Sequence, residues 1–539
     1  MKHDDNTPEI NFLPVIMAVY IVVVLSGMIL VYHDYYYDIL QTKLSWYKTC
    51  TIVMLVLVGL YLFLMSHPIE AIRANKGKKL LEIISPVDIA VLLWGIFILL
   101  STIFSPVRSE AFSGIQGRYT GCSLLLLYIT AYFCITQFYK LREWHMMIFL
   151  GAGILMCLFG ITDFFDMDLL NFKVDISQEQ RFLFCSTIGN INTYTSCVAM
   201  VMAFAGVMFA SVTDKKRVIG YGICTIISFI ALILGESDNA YLSLAAFFGL
   251  LPFYLFQSRR GVKRYFVLIA SFFSVIKGVE VVQQKIDTPI SIHGLFQVIA
   301  GNKFLPMIVI ALWLIVIISY LIDFRLKSFK PSAFQRISEQ SISLKNSESP
   351  ISPWFVRGWL ALCILVVVAV VFVLYDVNIA GNADKYGGIK DYLLFNDEWG
   401  THRGYIWRIG LEDYQKFPLL QKIFGYGPDT FGIITQENNM PDMFDRYGEV
   451  FDSAHNEYLQ YFVTIGPFGL LSYLAIHIAA VVQVFRKKRK NPLMVAALFA
   501  VLCYAFQAFV NINQPIATPV MWTLLAICAA KGAREVELL

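Results

Sequence analysis

The stretch FLPVIMAVYIVVVLSGMILVY (12–32) runs twenty-one residues without a charge. At 1.5 Å per residue such a run crosses the ~30 Å hydrocarbon core of a bilayer, and it is too long for a signal-peptide core. The short, partly acidic MKHDDNTPEI ahead of it carries no small-residue cleavage site. A retained first membrane span is therefore expected.

The same pattern recurs along the chain. Windows of about 19 residues mark further spans near 48–66, 86–104, 119–138, 144–163, 192–212, 217–235 and 239–257. Others fall near 264–281, 304–323, 358–376, 456–484, 493–511 and 515–531. The expectation is an all-α polytopic membrane protein with about fourteen transmembrane helices and one large extracytoplasmic loop containing amphipathic helices. Composition agrees: 57% of the 539 residues are hydrophobic and only 15% charged, against about 25% charged in soluble proteins. Net charge is +4, which implies no nucleic-acid partner. The ten cysteines sit mostly in apolar runs and none lies in 377–455. Neither a disulfide framework nor a metal-ligand spacing is expected.

Lysine and arginine in short loops set orientation. With the N-terminus inside, the inner loops hold Arg73, Lys76, Lys78 and Lys79, then Lys140 and Arg142, then Lys215, Lys216 and Arg217. They continue with Arg259, Arg260, Lys263 and Arg264, the basic stretch 325–357, RKKRK at 486–490, and Lys531 with Arg534. The other loops are weakly charged or acidic. The loop 377–455, with twelve acidic and seven basic residues, falls outside, and both termini are expected in the cytoplasm. The chain divides into N-terminal helices (1–180), central helices (181–376), the loop (377–455) and C-terminal helices (456–539).

Unusual polar residues collect on the outer side: 105–121, 181–194, GESDNAY (235–241) and the loop. His455 and Asn456 stand immediately before an apolar span. A histidine there can take a proton from a hydroxyl near neutral pH, or it can simply meet water at the interface. Gly466 and Gly469, further along, would allow close helix packing. In THRGYIWRIGLEDYQKF (401–417), Arg403, Trp407, Gly410 and Tyr414 recur at helical spacing, as in an amphipathic helix on the membrane surface. Arg403 and Arg408 are candidates for a diphosphate, since guanidinium makes charge-assisted contacts to phosphate oxygens; snorkelling to headgroups is the other reading. GYGPDTF (425–431) reads as a turn.

These pieces together resemble the O-antigen ligase and O-antigen polymerase superfamily. AHNEYLQYFVTIGPFG is similar to its histidine signature through His455, Asn456, Leu459 and Gly466. Arg403 to Trp407 resembles its Arg-x-x-x-Trp element, GYGPDTF its Gly-rich turn, and STIGNINTY its Gly-Asn-x-Asn element, here Asn190 and Asn192. NINQPIATPVMWTLL resembles its last span. The likeness runs over about 181–525. It departs at 235–240, where Gly-Glu-Ser-Asp-Asn-Ala stands in place of a Ser-Arg-Gly-like element, so that either Arg118, Arg181 or Arg408 supplies the second phosphate contact or the donor is held differently.

The resemblance implies a GT-C-like enzyme of the bacterial inner membrane that acts on its extracytoplasmic face. The donor would be an undecaprenyl-diphosphate-linked glycan and the acceptor a glycan, lipid or protein, with no cofactor and no metal. Arg403 would stabilise the leaving diphosphate and His455 would activate the acceptor hydroxyl. Trp407, Arg408, Arg118, Arg181, Asn190, Asn192 and Asn456 are the expected substrate contacts. A polymerase of the same family and a lipid-linked sugar transporter are the alternatives. The transporter needs charged paths at mid-membrane, and the span interiors are nearly free of charge.

Overall fold

The computed structural model describes residues 11–65, 84–286, 290–328, 352–486 and 491–531. Several topology-setting residues (Arg73, Lys76, Lys78, Lys79, Arg534 and 487–490) and the Ser-rich 338–350 lie outside the described residues.

Among the described residues, eleven helices are long and apolar enough to cross a membrane. They are α1 (Leu13–Leu30), α2 (Ile39–Met65), α3 (Pro86–Phe104), α5 (Glu143–Phe164), α6 (Ile191–Ser211), α7 (Lys215–Leu234), α9 (Arg259–Gln283), α10 (Leu305–Ser328), α11 (Trp354–Asn378), α15 (Glu457–Phe485) and α16 (Pro492–Gln507), the last extended to Val510 by a tighter turn. At the other three expected places stand shorter apolar helices: α4 (Cys122–Phe138), α8 (Asn239–Leu255) and α17 (Thr518–Ala529). Irregular backbone precedes two of them, at 235–238 before α8 and 511–517 before α17. In a membrane bundle such backbone is tolerated where protein covers it or it lines a cavity.

Side-chain size sorts the helices. α6 is rich in small residues (Ala199, Ala203, Ala205, Gly206, Ala210), which let neighbours approach closely, and every residue from Thr193 to Ala210 is buried. A Cβ on Gly206 would lie 2.5 Å from the Phe247 ring. α6 packs chiefly on α16, equally rich in alanine, and on α7. By contrast α10 and α11 carry bulky aliphatic rows that the protein leaves almost entirely uncovered, as expected of surfaces facing lipid.

The loop 377–455 folds into α12 (Trp399–Lys416), α13 (Leu419–Phe424) and α14 (Phe431–Tyr447). The amphipathic helix of the sequence is α12, but its apolar face does not lie open to a bilayer. Tyr405, Ile406 and Ile409 are buried with Phe431, Ile434, Met443, Ala454 and Val463 in a small core of their own. The sole strand pair described is a two-residue hairpin, Phe184–Cys185 against Gly189–Asn190.

α15 is broken one-third of the way along. Gly466 adopts φ 82° and Pro467 follows, so the carbonyls of Val463 and Thr464 lose their helical partners. The turn 425–427 supplies new ones: Tyr426 N–H donates to Val463 O (3.1 Å) and Gly427 N–H to Thr464 O (2.9 Å). Ser101 Oγ of α3 also donates to Thr464 O, at 2.6 Å. Both glycines are required. A Cβ on Gly425 would meet the Thr464 backbone, and one on Gly466 the Ile423 carbonyl, each at 2.3 Å. These glycines therefore anchor the loop on a helix break and do not serve as packing notches between continuous helices.

Candidate active site

From that anchor a chain of contacts leads to His455. The turn continues to Asp429, whose carboxylate accepts from Ile115 N–H (2.8 Å), Thr120 N–H (2.9 Å) and Thr120 Oγ1 (2.8 Å). Burial still raises its pKa to about 6. These bonds fix the segment 115–120 between α3 and α4. Arg118, on that segment, forms a two-pronged ion pair with Asp452, three residues ahead of His455. Ala454 is pinned from both sides, its N–H by Gln460 Oε1 (2.9 Å) and its carbonyl by Trp407 Nε1 (2.9 Å). Asn456 caps α15 by accepting from Tyr458 N–H and Leu459 N–H. Held so, His455 takes φ 45°, a left-handed conformation that costs a non-glycine residue roughly 1–2 kcal/mol.

His455, Arg403 and Arg118 open into one cavity of about 570 Å³ at an end of the bundle. Asn192, Glu236, Asp238, Tyr241 and Tyr392 line its far wall. Arg403 is delivered by the first turn of α12, where Gly400, Thr401 and His402 are all left-handed. Its Nη1 donates to Gly400 O at 2.7 Å, and its Nε is buried without a partner.

Burial lowers the pKa of His455 to about 4, with the positive charges of Arg403 and Arg118 as lesser causes and Asp452 opposing them. The imidazole is neutral at neutral pH and able to accept a proton. Burial also lowers Arg403 and raises Asp238, while the attraction between these two opposes both shifts. An acid thus faces Arg403 at the very position where the family's arginine is absent. Glu236, two residues earlier, is raised by burial to about 8.

Residues 290–474 match the family model of the O-antigen ligase. That stretch is similar to an O-antigen ligase domain. The resemblance read from the motifs to that superfamily stands, though the match is narrower than 181–525 and leaves out STIGNINTY and NINQPIATPVMWTLL. The matched stretch contributes Arg403 and His455 to the cavity. Arg118, Asn192, Glu236 and Asp238 reach it from outside the matched stretch. No curated protein matches the sequence.

The other expected contacts are dispersed. Arg408 is paired with Asp397 (2.8 and 3.0 Å) and Glu412 (3.1 Å) in an exposed network that also holds Arg446. Arg181 lies 3.7 Å from Asp166 and donates to Ile176 O. Of the three arginines considered for the second phosphate contact, Arg118 lines the cavity. Trp407 and Asn456 brace the histidine loop, and Asn190 caps α6 by accepting from Asn192 N–H. Asn192 lines the cavity, its Oδ1 accepting from Ser237 Oγ at 2.5 Å. Tyr392 and His293, which also line the cavity, were not singled out in the sequence, where no motif marks them. Among the described residues no cluster of His, Cys, Asp or Glu is placed to hold a metal ion.

Proposed function

We propose that this chain is a membrane glycosyltransferase of the O-antigen ligase type. It moves a glycan from an undecaprenyl-diphosphate carrier to an acceptor hydroxyl on the outer face of the bacterial inner membrane, with both termini inside. The observation that carries the reading is a neutral His455 sharing one cavity with two guanidinium groups, Arg403 and Arg118.

Breaking the bond between an anomeric carbon and a diphosphate oxygen leaves an electron pair, and negative charge, on that oxygen. Preorganised cations at the leaving group are the main electrostatic aid to such a step. Arg403 and Arg118 take this role. The acceptor oxygen attacks the anomeric carbon from the opposite side, and its proton passes to Nδ1 or Nε2 of His455. The new C–O bond forms as the old one breaks, so one displacement inverts the anomeric centre. No nucleotide sugar enters, and none of the named steps uses a metal.

The test is transfer by purified protein in nanodiscs supplied with an undecaprenyl-diphosphate-linked glycan. Product with a new glycosidic bond, lost in His455→Ala, is expected. Movement of donor between leaflets with no bond cleavage would refute the enzyme. The acceptor that is consumed separates ligase from polymerase: a polymerase extends a second lipid-linked unit.

A further inference from the structure

Beside the active-site cavity lies a second one of about 460 Å³, sharing Ile191, Glu236 and His293 with it. Its size falls in the ~300–1,000 Å³ range of small-molecule sites. Asp163, at the end of α5, and Lys173 form its floor, with side chains only 2% and 3% exposed. One Asp163 oxygen accepts from Ser186 N–H at 2.6 Å; the other has no hydrogen-bond partner and lies 3.8 Å from Lys173 Nζ. Glu236 repeats the arrangement: Oε2 accepts from His293 N–H at 2.9 Å, and Oε1 is unpartnered. Phe182 and Phe184 supply aromatic wall, and Phe182 is half exposed. The wall is rigid, because Phe184 stacks on Tyr36, whose hydroxyl donates to Ser186 O at 2.8 Å.

Two carboxyl oxygens without hydrogen-bond partners beside flat apolar rings match a group with hydroxyl edges and C–H faces. A lipid chain would leave both oxygens unsatisfied. A diphosphate calls for charge-assisted donors, and the one cation lining this cavity, Lys173, is 3.8 Å from Asp163. We infer that this annexe is the acceptor's sugar subsite, taking a hexose or hexosamine unit with its apolar face on Phe182 and Phe184 and its polar groups on Asp163 and Glu236. The cavity alone supports a sugar; the acceptor role rests on the transferase reading.

The probe is a panel of octyl glycosides (glucoside, galactoside, N-acetylglucosaminide) carrying a diazirine, photolysed with the full chain in nanodiscs. At least one should label peptides containing 182–185 or 290–293, with labelling down about five- to tenfold in Phe182→Ala and Asp163→Asn. Phe182 is exposed enough that its loss leaves the bundle intact, should Asp163→Asn fail to fold. Labelling confined to other segments, equal labelling by a diazirine-bearing octanol, or displacement by inorganic diphosphate would each overturn the sugar assignment. In transfer assays Phe182→Ala should raise the acceptor KM and leave the donor KM; the reverse pattern would overturn the acceptor role. Labelling that persists in His455→Ala alongside undiminished transfer would sink the catalytic reading and leave the sugar subsite standing.

Discussion

Arg118 and Asp452, 334 residues apart, join with Nε 2.9 Å from Oδ2 and Nη2 2.6 Å from Oδ1. The pair ties a loop outside the O-antigen ligase match to the loop that presents His455. It also leaves Arg118 on the cavity wall, so the residue is placed both to brace the site and to meet substrate.

Substitution can separate those two tasks. Arg118→Ala should lower turnover about 100- to 1,000-fold, the usual effect of removing one donor to developing charge. Exchanging the partners, Arg118→Asp with Asp452→Arg, should restore thermal stability without restoring turnover. Recovery of turnover in the exchanged protein would mean that Arg118 acts only as a brace.

The low pKa of His455 has a kinetic signature. The free imidazole stays neutral down to about pH 4, so kcat/KM should lose activity only as pH falls towards that value. A bound diphosphate would offset the charges of Arg403 and Arg118 that help depress the histidine, raising its pKa. The acid limb of kcat should therefore lie at higher pH than that of kcat/KM. Coincident limbs would exclude the coupling. The sign for stability agrees: an unfolded histidine binds its proton near 6.5, the folded one near 4, so this residue costs stability as pH falls from about 6.5 to 4.

At the helix break, Gly466→Ala and Gly425→Ala should each destabilise by more than about 1 kcal/mol, since both have positive φ and no room for a Cβ. The double substitution should cost less than the sum, because both disrupt one docking contact. Thermal unfolding of the purified protein reads this directly. Strict additivity would show that the two sites are independent.

Arg408→Ala should change turnover by less than about twofold, because exposed ion pairs contribute little and this arginine does not line the cavity. Trp407→Phe is the contrasting test. It keeps the ring against Trp399 and Phe509 but drops the bond to Ala454 O. Turnover should fall about tenfold with donor KM unchanged, the loss expected for one buried hydrogen bond.

Much of this was legible in the sequence because apolar runs and helical periodicity are local properties. The apolar helices, α12 and the Gly-Pro turn all follow from patterns of a few residues, whereas Asn456, expected to meet substrate, caps α15. What the sequence hid depends on distance. Nothing near Arg118 announces Asp452, and Gly466-Pro467 within an apolar run looks like a packing notch until the turn that fills it is seen. Arg408 and Arg181 read as phosphate contacts by residue type alone, and neither lines the cavity that holds Arg403 and His455. Asp163 and Lys173 passed unnoticed because one ends a span and the other lies in an unremarkable loop.

The break in α15 also sets an order of assembly. Its freed carbonyls take donors from a turn made some forty residues earlier and from Ser101, 363 residues back. Until α15 is in place, the turn 425–427 lacks the carbonyls on which it docks, and closing so large a loop is slow. A helix synthesised after both arginines therefore completes their site. A chain stopped short of α15 should show its outer segment as protease-sensitive, and the appearance of activity should mark the end of folding rather than any earlier stage.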